Sequence, residues 1–148
     1  MFERFSERAR HVMALANPEA QRFGREYASP EHVLLAILRE GNGVAATVLR
    51  ILNLDLRAAR RQVEHMVREQ TAANAAHPDG HIAAETTHQL VEQAIEEARR
   101  ADHHLVGTEH LLLALMRDSD GLPARILSGL GVQPEAVRAE IRKIFDTE

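Results

Sequence analysis

Apolar residues recur at intervals of three and four along most of this chain, which is the period of amphipathic helices. The first run follows Ser6, a residue type that caps helix starts, and predicts a helix over residues 6–23. Asn17-Pro18 lies inside this run and should kink or split the helix, because proline lacks the backbone N–H. Ser29-Pro30 begins a second helix, with Pro in the first turn, that runs to about Arg39.

Two shorter patterns follow. Gly41-Asn42-Gly43 ends the second helix, and the residues from Val44 to Leu52 form a compact apolar helix. Asp55 then caps a fourth helix. The stretch 70–81 has little periodicity and includes Pro78-Asp79-Gly80, so it is predicted to be a linker.

The same order of elements then returns. A long fifth helix carries Leu90 and Ala98 on its apolar face. Thr108 is predicted to cap the sixth helix, Gly121 precedes a short seventh, and Pro134 begins the eighth.

The second half of the chain copies the first at a constant offset of 78 residues, with no gap. Glu31-His32 recurs as Glu109-His110, and Gly43 recurs as Gly121. Two helical units that each expose an apolar face should pack together as a pseudo-twofold pair. The predicted fold is therefore all-α, with eight helices in two four-helix repeats within one domain. We place the first repeat at 1–69, the linker at 70–83 and the second repeat at 84–148.

Composition narrows the functional classes. Hydrophobic residues make up 45% of the chain but aromatic residues only 3%, which favours closely packed aliphatic helices. The formal net charge of −4 argues against a nucleic-acid or membrane surface. No Cys is present, no apolar run approaches the length of a membrane helix, and the first residues lack a secretory layout. We expect a cytoplasmic protein.

Catalytic motifs are missing from the sequence. It has neither the glycine pattern of a phosphate-binding loop nor a G-x-S-x-G motif, so we expect no enzyme activity and no cofactor. Its nine histidines lack the spacing of a metal site: His77 and His81 lie in the predicted linker, and the adjacent His103-His104 cannot face one ion from a helix.

The duplicated junction contains the remaining candidates. His32 and His110 each open an apolar run, and we interpret both as half-buried histidines hydrogen-bonded near a helix start. Glu31 and Glu109 allow two interpretations. An acid in the first turn stabilises the helix macrodipole by about 0.3–1 kcal/mol. Alternatively, an exposed acid beside free backbone N–H groups would suit a ligand that carries a cation and an anion close together.

The residues Gly-Thr-Glu-His-Leu-Leu-Leu-Ala-Leu at 107–115 resemble those of a known family, as does the opening Met1-Phe2-Glu3-Arg4-Phe5-Ser6-Glu7-Arg8-Ala9. The chain resembles the double Clp N-terminal repeat domain of Hsp100/Clp AAA+ unfoldases, most closely the ClpC type. The resemblance covers both repeats. It implies a non-catalytic domain that binds adaptor proteins and protein substrates, and it further implies recognition of phosphoarginine on substrates marked for degradation.

The resemblance also implies ligand-binding residues. In the family an acid of each Gly-Thr-Glu-His motif is paired with a hydroxyl residue near the start of each repeat. Carried over, Glu31 would be paired with Ser6 in the first site, and Glu109 would serve the second site, with Thr108 as the hydroxyl of its motif.

Two departures from the family pattern affect these sites. Ser29-Pro30 replaces Gly-Thr in the first repeat, which removes a backbone N–H and the threonine hydroxyl. Ala84 stands at the early hydroxyl position of the second repeat and is followed by Glu85, where Pro is common; Thr86 and Thr87 are out of register.

Three functional hypotheses remain. The first is the docking domain of a ClpC-like ATP-dependent unfoldase in protein degradation. The second is a freestanding Clp-repeat protein that acts as a regulator or decoy for the same ligands, and the third is a small metal or nucleic-acid binder, which the acidic balance disfavours. For Phe2 and Phe5 we favour packing over an exposed partner site, and we expect the isolated domain to be a monomer.

Overall fold

The computed structural model describes the backbone of residues 2–73 and 80–146, and the side chains of residues 2–66 and 86–145. This part of the chain forms eight α-helices and no β-strand, and the only extended pairing in it is an isolated parallel bridge between Phe5 and Val106. The helices are α1 (Glu7–Arg22), α2 (Pro30–Glu40), α3 (Val44–Ile51), α4 (Leu56–Ala73), α5 (Gly80–Arg100), α6 (Thr108–Leu115), α7 (Leu122–Gly129) and α8 (Pro134–Asp146). The predicted all-α class and the number of helices are confirmed.

Local sequence signals explain several helix starts. The Ser6 hydroxyl oxygen accepts the Ala9 N–H at 3.1 Å and caps α1. Asp55 does the same for α4, where its carboxylate accepts the Ala58 N–H at 2.7 Å. Helix α1 continues through Pro18, so the proline does not split it.

The interval 70–83 is partly helical. Helix α4 continues to Ala73 and α5 already begins at Gly80, so helical residues occupy both ends of the predicted linker. Residues 74–79, in the middle of this interval, lie outside the described part of the chain.

Contacts between the repeats come in equivalent pairs, as a pseudo-twofold arrangement requires. Helix α3 packs on α8 as α7 packs on α4, and α3 packs on α6 as α7 packs on α2. Helices α1 and α6 make the same contact as α5 and α2, while α2 and α6 meet each other. Each repeat therefore covers apolar surface of the other, and the two share one core.

Helices α2 and α6 form the centre of this core. Leu34, Leu35, Leu111 and Leu112 are fully buried. Their neighbours in the core are almost all aliphatic, in agreement with the low aromatic content. Because every residue from Glu31 to Ile37 is buried, α2 has no face that is free of packing constraints.

One buried charge ties three helices of the first repeat together. Glu19 of α1 has no exposed surface, and its carboxylate accepts two hydrogen bonds from Arg60 of α4 at 3.0 and 2.9 Å and one from Arg39 of α2 at 3.1 Å. The second repeat keeps the equivalent pair, Arg117 and Glu97, at 2.9 Å.

Candidate functional site

Glu31 and Glu109 occupy the second position of α2 and α6, and both are buried, with 9% and 8% of their surfaces exposed. Of the two interpretations of these acids, the one that requires them to be exposed is therefore wrong. Each carboxylate folds back and accepts its own backbone N–H. Burial raises the pKa of both carboxyls above the ordinary value, although these N–H groups, Arg25 for Glu31 and His103 for Glu109 oppose the shift.

His32 and His110 form the next layer of the same junction. The Ser29 N–H donates to His32 Nδ1 at 2.9 Å, and the Gly107 N–H donates to His110 Nδ1 at 2.8 Å. Each imidazole thus satisfies the backbone of the residue before its helix, as the third residue of a capping box does. Burial lowers the pKa of both histidines to about 4, so both are neutral at pH 7.

The far side of each imidazole differs between the copies. His110 Nε2 lies 2.9 Å from His103 Nδ1, and the His103 ring packs against Phe145 with centroids 5.0 Å apart. His32 Nε2 is buried and has no hydrogen-bond partner among the described residues. Arg25 stands 78 residues before His103, and a guanidinium cannot accept the hydrogen bond that an imidazole accepts.

His103, Glu109 and His110 bring one potential metal-ligand atom each to within 4.8 Å of one another. The hydrogen bonds do not suit a metal centre. Because His110 Nδ1 accepts a backbone N–H, the neutral ring carries its proton on Nε2, the atom that would have to bind the ion. The cluster is better described as a hydrogen-bonded relay from Gly107 through His110 to His103.

Gly107 provides the space for the Glu109 carboxylate. A Cβ atom on Gly107 would lie 2.1 Å from Glu109 Oε1 and 2.9 Å from Cδ, so any side chain would displace the carboxylate. The equivalent position in the first repeat is Ser29, which has a Cβ where Gly107 has none.

Thr108 does not cap α6, contrary to the prediction. Gly107 takes the cap position, and Thr108 is the first helical residue. The Thr108 Oγ1 atom instead accepts the N–H of Ala45 at 3.2 Å, in the first turn of α3. Gly43 is the cap residue of α3 and has no side chain, so a residue of the second repeat supplies the capping oxygen for a helix of the first.

Ser6 lies beside the second copy of the junction. Its backbone N–H donates to the Val106 carbonyl at 3.0 Å, and the Val106 N–H donates to the Arg4 carbonyl at 2.7 Å. These bonds join Ser6 to the segment that enters α6, the helix of Glu109, and the expected pairing of Ser6 with Glu31 stays a prediction.

The starts of α1, α3 and α6 thus meet at one place, which we call the α6 junction and define by Ser6, Gly43, Gly107, Thr108 and Glu109. Three helix N-termini direct partial positive charge and backbone N–H groups toward it. Arg8 lies at its edge, where it donates to the Asn42 carbonyl. The junction can attract an anion while Glu109 accepts a cation.

Sequence reasoning missed Gly43 as a member of this junction and missed Ala45 and Arg8 as its neighbours. A usable signal was present in the duplicated register. Thr108 and Ala45, which share a hydrogen bond, correspond to Pro30 and Pro123, of which one has no hydroxyl and the other no N–H. Such a paired loss of donor and acceptor indicates contact between the two positions.

An open apolar groove of about 900 Å³ lies between α1 and α5. Met13 and Val91, which are equivalent residues of the two repeats, line it together with Phe2 and Tyr27. Phe2 is 38% exposed, Tyr27 is 51% exposed, and Phe5 is buried with its ring 5.0 Å from that of Phe2. The packing predicted for Phe2 and Phe5 is thus correct for Phe5, while Phe2 also contributes to an open surface.

None of the described helices has the length and apolar character that would carry it across a membrane.

Comparison with known sequences gives two matches within the chain. A model of the Clp repeat (R) N-terminal domain family matches residues 4–82 and again residues 82–148. The division at residue 82 falls inside the interval 70–83, and the double match confirms the internal repeat.

Similar proteins are much longer than this chain. The chaperone protein ClpC2, chloroplastic, of Oryza sativa subsp. japonica is 38% identical over 153 residues, which is 99% of this chain and 16% of that protein. The ClpA homolog of Porphyra purpurea, an ATP-dependent Clp protease ATP-binding subunit, is 38% identical over 146 residues, 95% of this chain and 17% of that protein. The chain therefore spans about one sixth of the length of these relatives.

Among solved structures, the N-terminal domain of the chaperone ClpD from Arabidopsis thaliana superposes with a TM-score of 0.71. The alignment covers 99% of this chain and 97% of that domain, at 22% sequence identity. At this identity the likeness establishes a common fold.

Proposed function

Since this chain belongs to the Clp repeat (R) N-terminal domain family, we propose that it is the substrate- and adaptor-binding domain of a ClpC-like ATP-dependent protein unfoldase. The double family match and the relatives at 38% identity carry the membership, which confirms the resemblance seen in the sequence. The names of those relatives, a chaperone and an ATP-binding subunit of a protease, support the wider role. The domain itself contributes binding and not catalysis.

The proposed small ligand is phosphoarginine on a protein substrate, recognised at the duplicated Glu-His junction, which contains Glu31 in the first repeat and Glu109 in the second. The observation that carries this proposal is a buried carboxylate placed where three helix N-termini meet, at the α6 junction. A phosphate would accept hydrogen bonds from the backbone N–H groups at the helix starts. The adjacent guanidinium would donate to the carboxylate in a charge-assisted hydrogen bond.

Binding requires one rearrangement. The Glu109 carboxylate now accepts its own backbone N–H, and so it occupies part of the anion position at the start of α6. The incoming phosphate takes over this N–H, and the released carboxylate turns to the guanidinium. A ligand with only one of the two charges replaces only one of the two interactions and binds more weakly.

Calorimetry tests this proposal. Phosphoarginine is titrated to millimolar concentration into the protein, with arginine and inorganic phosphate as separate ligands. We expect binding of phosphoarginine at least tenfold tighter than that of either fragment. No heat with phosphoarginine at millimolar concentration, in a protein shown to be folded by circular dichroism, would exclude the proposed ligand.

The groove between α1 and α5 is the proposed docking surface for protein partners. Its floor of Met13 and Val91 and its exposed rims Phe2 and Tyr27 suit an apolar segment of an adaptor or an unfolded substrate. Hydrogen exchange measured with and without a permanently unfolded protein tests this role. Protection along α1 and the start of α5 is expected, and protection confined to α8 would argue against the groove.

The alternative of a freestanding regulator or decoy is separated from the unfoldase by the coding sequence that follows residue 148. Walker motifs there support the unfoldase, and an immediate stop codon supports the regulator. The cytoplasmic location and the monomeric state stay predictions, and light scattering of the purified domain tests the second.

A further inference from the structure

The two copies of the Glu-His junction have different surroundings, and we infer that only the α6 junction binds the ligand. In the first copy the start of α2 has fewer hydrogen-bond donors, and the positive charge of Arg25 acts on Glu31 from within the chain. This inference rests on the proposed function, because it names which of the two junctions performs it. The counterpart residues 78 positions away, Ala84, Gly121, Ser29, Pro30 and Glu31, are called the α2 junction.

The α2 junction has lost hydrogen-bond donors for an anion. Pro30 at the start of α2 has no backbone N–H, whereas its counterpart Thr108 has one. Pro30 also lacks the hydroxyl of Thr108. An anion at this place would find fewer donors at the start of α2.

The start of α5, which corresponds to the start of α1, does not lie at the equivalent position. Helix α1 begins at Glu7 directly after its cap, and in the same register α5 would begin at residue 85. It begins at Gly80 instead, five residues earlier, which is about 7 Å of helix rise. The N–H groups that follow Ala84 are therefore used inside α5, and the free N–H groups of this helix lie more than one turn upstream.

The carboxylate of the first copy has different neighbours. Gly107 leaves room for the Glu109 carboxylate, but Ser29 has a Cβ in the equivalent place. The positive charge of Arg25 opposes the raised pKa of Glu31 and adds to the lowered pKa of His32.

The surroundings of His32 Nε2 also reflect the presence of Arg25 at the position equivalent to His103. In the second copy the equivalent atom, His110 Nε2, lies 2.9 Å from His103 Nδ1, which can accept its proton. Arg25 stands in the place of His103 and has no acceptor, so the buried His32 donor is left without a partner among the described residues. The first copy thus has the cation Arg25 at the position where the second copy has the imidazole of His103, which is hydrogen-bonded to His110.

The experiment measures stoichiometry. Phosphoarginine is titrated calorimetrically into the wild-type chain and into the Glu109→Gln, Glu31→Gln and Glu135→Gln variants. Glu135 is the matched control, because it follows Pro134 in the first turn of α8 as Glu31 follows Pro30 in α2, and it lies outside both junctions. We expect one site per chain, at least tenfold weaker binding in Glu109→Gln, and affinities within twofold of wild type in the other two variants.

Gly107→Ala gives a second, independent measurement that keeps both acids. Its new Cβ would lie in the space at the start of α6 that the Glu109 carboxylate vacates and the phosphate enters, so binding should weaken at least fivefold. A carboxyl titration followed by NMR tests Arg25 without any ligand: Arg25→Gln should raise the pKa of Glu31 and leave that of Glu109 unchanged.

The outcomes test the single-site inference and phosphoarginine binding separately. Two sites per chain, or equal weakening by Glu31→Gln and Glu109→Gln, overturns the single-site inference and leaves phosphoarginine binding intact. No binding by wild-type protein overturns both. One site that is lost in Glu109→Gln and Gly107→Ala, and kept in Glu31→Gln and Glu135→Gln, supports both.

Discussion

The Thr108 Oγ1 atom accepts the backbone N–H of Ala45 at 3.2 Å, so the second repeat caps the third helix of the first. The residues are 63 positions apart in the sequence and buried at the contact. A cap normally comes from the residue next to its own helix. Here the capping oxygen also joins the two repeats, so the start of α3 depends on their correct docking.

Replacing Thr108 by Val tests this bond, because valine keeps the shape and removes the hydroxyl. We expect the free energy of unfolding to fall by about 1 kcal/mol, the usual effect of losing a helix cap. Thr108→Ser should keep most of the stability. Thr47→Val in α3 is the matched control, because Thr47 is a threonine of the same helix and does not cap it. Equal effects of the two valine substitutions in urea denaturation would contradict the capping role.

Gly43 permits the close approach of Thr108, and Gly43→Ala should therefore be destabilising. Its Cβ would lie 2.5 Å from Thr108 Oγ1 and 3.0 Å from Cγ2, and such overpacking costs about 1–3 kcal/mol. In Gly43→Ala/Thr108→Ala the clash disappears, so the double variant should lose less than the sum of the two single losses. Additive losses in a double-mutant cycle would show that the two residues are not coupled.

Gly129→Ala is the control for the glycine substitution. The new Cβ would approach only the Gln62 amide nitrogen, at 2.6 Å, and this is the end of a flexible side chain that can move aside. Alanine is also preferred over glycine in helices, so the stability of this variant should stay level or rise slightly. A loss as large as that of Gly43→Ala would remove the argument from close contact.

His32 and His110 should make stability depend on pH between about 4 and 6.5. Burial lowers their folded pKa values to about 4, so the unfolded chain binds more protons in this range. Their contribution is complete above pH 6.5 and is lost as pH falls toward 4, by roughly 3 kcal/mol at most for each.

The measurement compares His110→Asn with wild type by urea denaturation across this range. Asparagine retains an acceptor for the Gly107 N–H but does not titrate, so the decline below pH 6.5 should become shallower. The exposed His11 is the control, and His11→Gln should leave the decline unchanged. Glu31 and Glu109, whose pKa values burial raises, act in the opposite direction above pH 4.5, and the comparison with wild type removes their effect. An unchanged slope in His110→Asn would refute this prediction.

Glu19→Gln should weaken the fold and alter its acid sensitivity. Burial raises the pKa of Glu19, but the hydrogen bonds of Arg60 and Arg39 and the charges of Arg60 and Arg22 outweigh this, and the net pKa is lowered. The contribution of Glu19 is therefore present above pH 4.5 and lost as pH falls through its lowered pKa. We expect a loss of at least about 1.5 kcal/mol at pH 7, because several charge-assisted hydrogen bonds disappear.

Glu92→Gln provides the matched exposed carboxylate. Glu92 pairs with His88 on the surface of α5 at 2.9 Å, and exposed pairs contribute about 0–1 kcal/mol. The wild-type protein and Glu92→Gln should show the same loss of stability below pH 4.5, and Glu19→Gln a smaller one. If the two variants are equally stable at pH 7, the buried cluster does not have the proposed role.

Much of the fold was predictable because its signals are local or repeated. Ser6 caps α1 as its residue type indicates, and the constant offset of 78 predicted the pseudo-twofold pairing of helices. The interval 70–83 was harder, because weak periodicity does not exclude helix, and α4 and α5 continue into it. Thr108 was predicted to be the cap of α6 but is its first helical residue, because a threonine before an apolar run has the same sequence signature as a cap.

The candidate site was predictable in its residue types and not in their arrangement. Glu31 and Glu109 are distinctive because they recur in register, yet recurrence does not indicate burial, and both are buried. Ser6 was assigned to Glu31, since they lie in the same repeat. The structure joins Ser6 to Val106 in the other repeat, because the extended backbone at Phe5 pairs with that at Val106 in an isolated parallel bridge.

The class of fold, the duplicated unit and the family follow from the amino-acid sequence alone, because periodicity, caps and motif spacing are properties of neighbouring residues. Three features become visible only in the packed molecule: which helix starts meet, that Thr108 caps α3, and that Gly107 makes room for the Glu109 carboxylate. These contacts join residues far apart in the chain, and their geometry depends on how the two repeats dock. The sequence shows that Arg25 stands where the second copy has His103, but the effect of each residue on the pKa of its glutamate depends on the folded arrangement.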